Sequence, residues 1–567
     1  MADQQGGLRY LKEDTIARFL ELPDILDASP VIFQMVSHLG AFPFLQDAPV
    51  ILDLPQLVMV IVIMTERYKR VLKGGNTDRT KLLFRSLAVF DRKVSSAGNE
   101  SRPSSTSEVP IDSKPPWGGF AIDKAGEEGD DDGNNNDDDE EDDDDLVITA
   151  FELLDVKEAV QREEIQSFRG AMIPTDNLRK LLMLLLLAAP LDPQERLSQY
   201  NARVIGEELD RLRTTAEYML ASFVNVERDP GIKYNRFHSV VPILFPHLFE
   251  GFNGLFEHFL FSKSLDFSKQ QGNLEKLSSA GEPKMAQPLL PEGGEILGGH
   301  TLSQLSTFLP GSSLFRRVRL LYSGNEAGFS MGSFESKIFN WRAPTILLVR
   351  GSRLEDSGGQ EASFAETIPP KRFPDGSKSD RLTFGVYIQE PWKHTHRECF
   401  GNSETVLFQL EPIHDVFPAS TLNTDYVTFT KPPGNQSALS FGCPHPKPTQ
   451  AKGKSQTFSL GAVSLHLNDS FEFGVFNHDY KSRGGAFHTS VTRKYDFQDR
   501  FRIESLEVWG CGGDAEAKAQ ADRWAWEEKE AEARRRINLG SGDREADRAL
   551  LEMAGIIGAN RSGGSMA

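Results

Sequence analysis

The densest grouping of chemically capable side chains in this 567-residue sequence is Trp392-Lys-His-Thr-His-Arg-Glu-Cys399, which brings His394, His396 and Cys399 close together, while Cys443 and His445 offer the same donor types from a second segment. Imidazole and thiolate are good zinc ligands. A zinc site, however, needs four of them converging with outer partners that hold them, and this spacing lacks the paired C-x-x-C of a strong zinc signature. Cys399 as a nucleophile is a second chemistry, with Arg397 and His396 as the positive charge that would lower its pKa; a small residue at a sheet edge is the plainer account. Together these readings define the enzymatic alternative, a metal- or thiol-dependent redox enzyme built on His394, His396 and Cys399. The Gly-rich stretch 324–332 (GNEAGFSMG) is not followed by Lys-Ser/Thr, so its glycines read as turn residues rather than a phosphate cradle. Two further groups suit partner binding. Glu507 beside Trp509 would be an exposed acid on the last strand, where the plainer account is a solvated strand position. Trp524 and Trp526 lie two positions apart, hence about 200° apart on a helix, so both cannot bury against one surface. Arg534 and Arg535 follow them, and exposed Trp beside Arg is the composition of binding hot spots.

No cofactor is called for by any of these groups. The net charge of −19 is concentrated in residues 127–145 (EEGDDDGNNNDDDEEDDDD), which hold 14 acids and no base. A chain so poor in basic stripes lacks what neutralises phosphates, so direct nucleic-acid binding is not expected. Three cysteines are too few for a disulfide framework and fit a reducing, cytoplasmic setting. The start MADQQGGLRYLKED carries no secretory signal, and Ala2 does not fit N-myristoylation. The apolar runs 57–64 and 181–189 fall short of the roughly 20 residues that span a bilayer as a helix, so they read as core helices.

These groups need elements to hold them. Ser29 with Pro30 and Gly40 bracket one helix; Asp53 caps a second, Pro55 fits its first turn, and basic residues to Lys73 precede a stop at Gly74-Gly75. Residues 93–145, Ser-, Pro- and Gly-rich and then acidic, read as a disordered insert. Helical patterns resume over 146–268, with Thr175 ahead of Leu178, Leu181, Leu182 and Leu185 and a stop at Pro190. The segment Asp229 to Phe237 resembles the second half of an EF-hand loop without its alternating carboxylates, and Arg236 stands where the closing acid belongs. The N-terminal half is therefore expected to be an EF-hand-like helical domain without calcium, made of residues 1–92 and 146–268. A Gly/Pro/Ser linker covers 269–300. Beyond it the period becomes two, with strands at 344–349, 382–388, 405–410, 426–430, 462–467, 471–476 and 501–509. The last changes phase between Ile503 and Leu506, and a bulge there would keep both flanking pairs on the core side. Many short strands between turns predict a two-layer antiparallel sandwich with flanking helices, an α+β chain overall. A helix rich in Ala, Glu, Lys and Arg, capped at Asp514 and stopped at Gly540, follows as residues 513–540, and 541–567 forms a tail.

Leu321–Ser330, Ala343–Val349 and Phe501–Gly510 are similar to consecutive motifs of the TLDc domain family, in the family's order, and residues 301–512 are identified as such a domain. Phe384–Tyr387, Cys399–Gly401, Leu407–Pro412, Asn423–Tyr426, Leu439–Gly442 and Phe473–Asn477 between them resemble further family blocks. The whole layout resembles the fungal TLDc proteins that have a genetic link to telomere capping. Departures are a hydrophilic insertion at 352–380, Cys443-Pro-His445 in place of a Gly-rich stretch, and a short N terminus. The resemblance implies a non-enzymatic adaptor linked to oxidative-stress resistance that binds the vacuolar proton-pumping ATPase and influences its assembly, partly through the helix after the domain. It implies peripheral association with the vacuole membrane and names no catalytic residues. With this charge balance, the telomere link reads as indirect.

Overall fold

The computed structural model describes residues 3–5, 8–43, 48–70, 79–90, 171–191, 195–224, 229–261, 290, 293–310, 318–354, 368–431, 437–445 and 458–512, with 518, 519, 522, 525, 526 and 529 beyond them. The acidic insert, most of the linker and the tail lie outside these residues.

The N-terminal half opens with a hairpin, β1 (Asp3–Gln5) and β2 (Leu8–Tyr10), and continues through helices α1 (Glu13–Leu20), α2 (Ser29–Leu39), α3 (Leu54–Met64) and α4 (Thr80–Leu87). Helix α2 starts with Ser29 instead of being capped by it, whereas Asp53 caps α3 as expected by accepting from the Gln56 amide at 3.3 Å. Helix α3 stops at Met64, ten residues before the glycine pair, because the buried Arg79 guanidinium donates to the carbonyls of Ile63 (3.2 Å) and Met64 and so satisfies the helix end. Strand β3 (Val89–Phe90) pairs with β4 (Ala171–Pro174), and β4 with β5 (Gly231–Lys233), all antiparallel. Helix α5 (Thr175–Ala188) leaves β4 directly and α7 (Tyr234–Leu244) leaves β5 directly, with α6 (Glu207–Leu220) between them and α8 (Gly251–Phe261) after. The run Leu181–Leu187 in α5 is buried throughout, as a core helix should be. In α3, Val60, Ile61, Ile63 and Met64 are buried and Leu57, Met59 and Val62 pack partly against the same core, while Leu54 and Val58 face outward. No described helix is long and apolar enough to cross a membrane.

After helix α9 (Gly299–Ser306) the chain becomes a sheet of ten antiparallel strands: β6 (Val318–Ser323), β7 (Thr345–Arg353), β8 (Arg381–Ile388), β9 (Val406–Glu411), β10 (Asp415–Pro418), β11 (Val427–Thr430), β12 (Ala438–Phe441), β13 (Val463–Asn468), β14 (Phe473–His478) and β15 (Phe497–Cys511). Their order is β10-β9-β8-β7-β15-β14-β13-β12-β11, with β6 also on β15. The 15-residue β15 has three neighbours: along one edge it pairs with β7, along the other with β14 through its first half and β6 through its last. Its register against β7 shifts between Ile503 and Ser505, and Phe501, Ile503, Leu506 and Val508 all join the inner core.

The face of β7–β10 and β15 opposite that inner core, the outer face, is not solvated. Ile346, Leu348, Tyr387, Phe408, Leu410, Val416 and Trp509 belong to one continuous apolar cluster with the helices of the N-terminal half. Both faces of β7 are thus buried, which accounts for its unbroken apolar run.

Candidate functional site

The His/Cys group divides into separate local partnerships. Helix α10 (Met331–Ile338) presents Glu335, whose carboxylate lies 2.8 Å from His394 Nε2 and also meets Lys431 Nζ. The His396 ring sits beside His394, with centroids 6.1 Å apart. Cys399, on the other side of the turn, donates from Sγ to Asp425 Oδ1 (3.3 Å) and lies 3.3 Å from Thr428 Oγ1. Among the described residues no group of three or more His, Cys, Asp or Glu side chains is placed to hold a metal ion. Burial pushes the Cys399 thiol up to about 12 and that of Cys443 up to about 11, and Asp425 adds to the effect in both. A nucleophilic thiol needs the opposite environment. Arg397 and His396 do not supply it.

The Gly-rich stretch serves turns. Gly324–Ala327 is a single helical turn, Gly328 has φ of 86°, and Ser330 caps α10 by accepting from the Ser333 amide. Arg236, in the calcium-like segment, donates to the carbonyls of Phe223 (2.9 Å) and Ser222 (3.0 Å). A guanidinium thus holds the chain where a calcium loop would use an ion and its closing acid.

Glu507 is not exposed. The alternation along β15 puts it on the outer face with Trp509, and that face is covered, so Glu507 is 1% accessible. Its carboxylate accepts from the backbone N–H groups of Glu295, Ile296 (3.0 Å) and Leu297 (3.2 Å) and from the Trp509 indole N–H (2.9 Å). A Cβ on Gly294 would strike this carboxylate, so the loop closes around it only with glycine there. Arg350 adds a bond to the Glu295 carbonyl at 2.9 Å. The last residues of the expected linker are therefore fixed to β15. They lead straight into α9.

The second junction between the halves is the corner joining β9 and β10. His414 gives its N–H to the Tyr218 carbonyl (3.0 Å), and its own carbonyl accepts from Ser222 Oγ. Its ring lies between Phe245, stacked at 4.5 Å, and the edge of Phe308, with Nε2 at 3.2 Å from the Leu244 carbonyl and Nδ1 at 3.2 Å from Gln304 Nε2. These neighbours fix the neutral tautomer with the proton on Nε2, and burial drops the ring's pKa to about 3. Asp415, the next residue, turns the other way, accepting from Arg493 Nε (2.9 Å) and Ser490 Oγ (2.6 Å). The sequence carried no signal for this pair. Neither belongs to a motif whose chemistry stands out.

Of the expected partner-binding residues, Trp526 is 63% exposed. Trp524, Arg534 and Arg535 lie outside the described residues.

Residues 290–512 match the TLDc domain family. Curated relatives align over all or most of the chain and most of their own length. Restriction of telomere capping protein 5 of Fusarium vanettenii is 68% identical, covering 100% of this chain and 92% of that protein. The protein of the same name from Colletotrichum graminicola is 63% identical over 100% and 93% of the two chains. The one from Trichophyton verrucosum is 34% identical over 98% and 92%.

Proposed function

Because the chain belongs to the fungal restriction of telomere capping protein 5 family and itself carries a TLDc domain, we propose that it is a non-enzymatic adaptor that binds the vacuolar proton-pumping ATPase and modulates its assembly. The observation that carries this reading is the TLDc domain itself, matched over residues 290–512. Several features support it. The thiols that an enzymatic reading would use are held protonated by burial, and His394 is engaged with Glu335. The fixing of the 293–298 loop by Glu507 and of the β9–β10 corner by the helical half suits a body that docks as a unit. For the helical half we favour an EF-hand-like descent without calcium, since β4 and β5 pair antiparallel and each runs directly into a helix, while Arg236 occupies the closing position. The link of the relatives' name to telomere capping comes to this chain as an indirect effect, in keeping with its acidic balance, and oxidative-stress resistance as a consequence of the same adaptor role.

The segment from Asp514 onward is proposed as one of the contacts, with exposed Trp526 in it. The test is to remove residues 514–567 and measure co-sedimentation with vacuolar membranes together with the melting temperature. Lost association with an unchanged melt is the expected result. Unchanged association in a stably folded truncation removes the segment from the mechanism.

A further inference from the structure

We propose that the start of helix α9 is a binding site for the phosphoryl group of a small molecule, built from the free amides of Gly299, His300 and Thr301 together with the guanidinium of Arg203. A few residues earlier the chain uses the same chemistry on itself, where the amides of Glu295, Ile296 and Leu297 converge on the Glu507 carboxylate. Helix α9, by contrast, opens on Gly298 with no side-chain cap, and among the described residues no acceptor meets the amides of Gly299, His300 and Thr301. Such amides stand at the positive end of the helix dipole and suit an anion. There is room for one: a Cβ built on Gly298 would meet nothing within 4 Å.

Two side chains set this end apart from an ordinary uncapped helix. Arg203, on the 3-10 helix Leu197–Val204, lays its guanidinium over Gly299 so closely that a Cβ there would sit 2.8 Å from Nη2. Nη2 donates to Ser303 Oγ at 3.2 Å, burial drops the group's pKa to about 10, and among the described residues no carboxylate forms an ion pair with it. A cation pressed against the positive end of a helix without a counter-charge is costly, and a bound oxyanion relieves both. His300 is 4% exposed, yet neither ring nitrogen has a hydrogen-bond partner: Nε2 lies 3.0 Å from Glu208 Oε2 but out of line for a bond, and Nδ1 meets nothing. After burial itself, the Arg203 charge acts most strongly on this ring, which puts the two groups in one hollow. Of the nearby acids, Glu208 pairs with Arg211 Nη1 at 2.9 Å and Glu207 lies 3.7 Å from Arg211 Nη2. Neither pairs with Arg203. Glu208 also shows that a carboxylate at the rim leaves the three amides unmet, whereas a tetrahedral oxyanion has oxygens for the amides and the guanidinium fork together.

This site stands independently of the ATPase reading. The test follows the melting temperature of the full-length chain in inorganic phosphate against chloride at equal ionic strength, and then in inositol trisphosphate, a lipid headgroup without its lipid. Two variants accompany it. Gly298→Asp puts a carboxylate cap on the same amides, and Arg203→Gln removes the charge. The expected result is that phosphate raises the melt of the unaltered chain, that Gly298→Asp melts higher than the unaltered chain in chloride and no longer responds to phosphate, and that Arg203→Gln binds phosphate about tenfold more weakly. A larger rise with the headgroup than with phosphate at the same concentration assigns the phosphoryl group to a lipid, an equal or smaller one assigns it to free phosphate, and either supports the site. A melt that does not distinguish phosphate from chloride overturns it. So does a phosphate response that survives in Gly298→Asp, or an unchanged affinity in Arg203→Gln.

Discussion

A carboxylate that collects three backbone N–H groups and an indole is worth most when it is taken away from them. Replacing Glu507 by Ala leaves the amides of Glu295, Ile296 and Leu297 buried without an acceptor, and the expected loss is about 3 kcal/mol of stability, read as a lower urea midpoint at unchanged slope. Glu507→Gln keeps one acceptor oxygen and should lose less. The burial of Glu507 was hidden for a definite reason. Alternation along 501–509 tells which residues share a face, but nothing in the pattern tells what covers the face opposite the core. The His394, His396 and Cys399 cluster failed in the converse way: the sequence spacing brought the residues together, and the fold gave them different neighbours, Glu335 for one and Asp425 for another.

Among the elements, β7, β8, β9, β11, β13, β14 and β15 were legible because each holds an apolar or alternating run bounded by turns, whereas β6, β10 and β12 were not, the latter two being only four residues long; even the interruption of β15 was readable, since Phe501, Ile503, Leu506 and Val508 can share a core only with an extra residue between the pairs. The end of α3 was not, because what stops it is Arg79, fifteen residues farther on, and no local signal foretells a side chain arriving from there. The insertion at 352–380 is hydrophilic in sequence, yet its described second half packs down: Asp499 accepts from Arg353 Nη1 (2.6 Å) and the Gly376 amide (2.9 Å), and Ile368 is buried. Arg236 belongs to this scale as well, because it joins the start of α7 to the chain leaving α6. Arg236→Glu restores the acid that a calcium loop would have there, yet the expected outcome is a loss of about 2 kcal/mol from the two orphaned carbonyls. Added calcium should not raise the melting temperature. A calcium-dependent rise in the melt would show a competent loop instead.

For the whole molecule, residues 91–170 leave and return at one place, because Phe90 pairs with Ala171 and Val89 with Met172. Deleting residues 93–145 should therefore leave the melting temperature within a degree or so of the intact chain, since shortening a long connection between ends already held together changes the closure entropy only slightly. A drop of several degrees would assign that segment a part in the fold. Acid should be a different matter. Burial lowers the pKa of His38 and His300 to about 4 and of His414 and His466 to about 3, so in the unfolded chain these rings take up protons near pH 6.5 that the folded chain refuses. Stability is then complete above about pH 6.5 and falls as pH drops toward 4, by up to about 1.4 kcal/mol per pH unit for each such ring. Urea midpoints at pH 7, 6 and 5 should descend, and His414→Gln should make the descent shallower; a flat profile would contradict the buried neutral rings. The β9–β10 corner carries one more consequence, a mechanical one. His414 is gripped by the helices and Asp415 by Arg493 in the strand-rich half, and only a single peptide unit separates the two grips. Such a joint has no slack. A load applied to the helices passes through it into the 486–493 segment without first stretching any linker, so the two halves yield as one stiff body rather than swinging on a hinge.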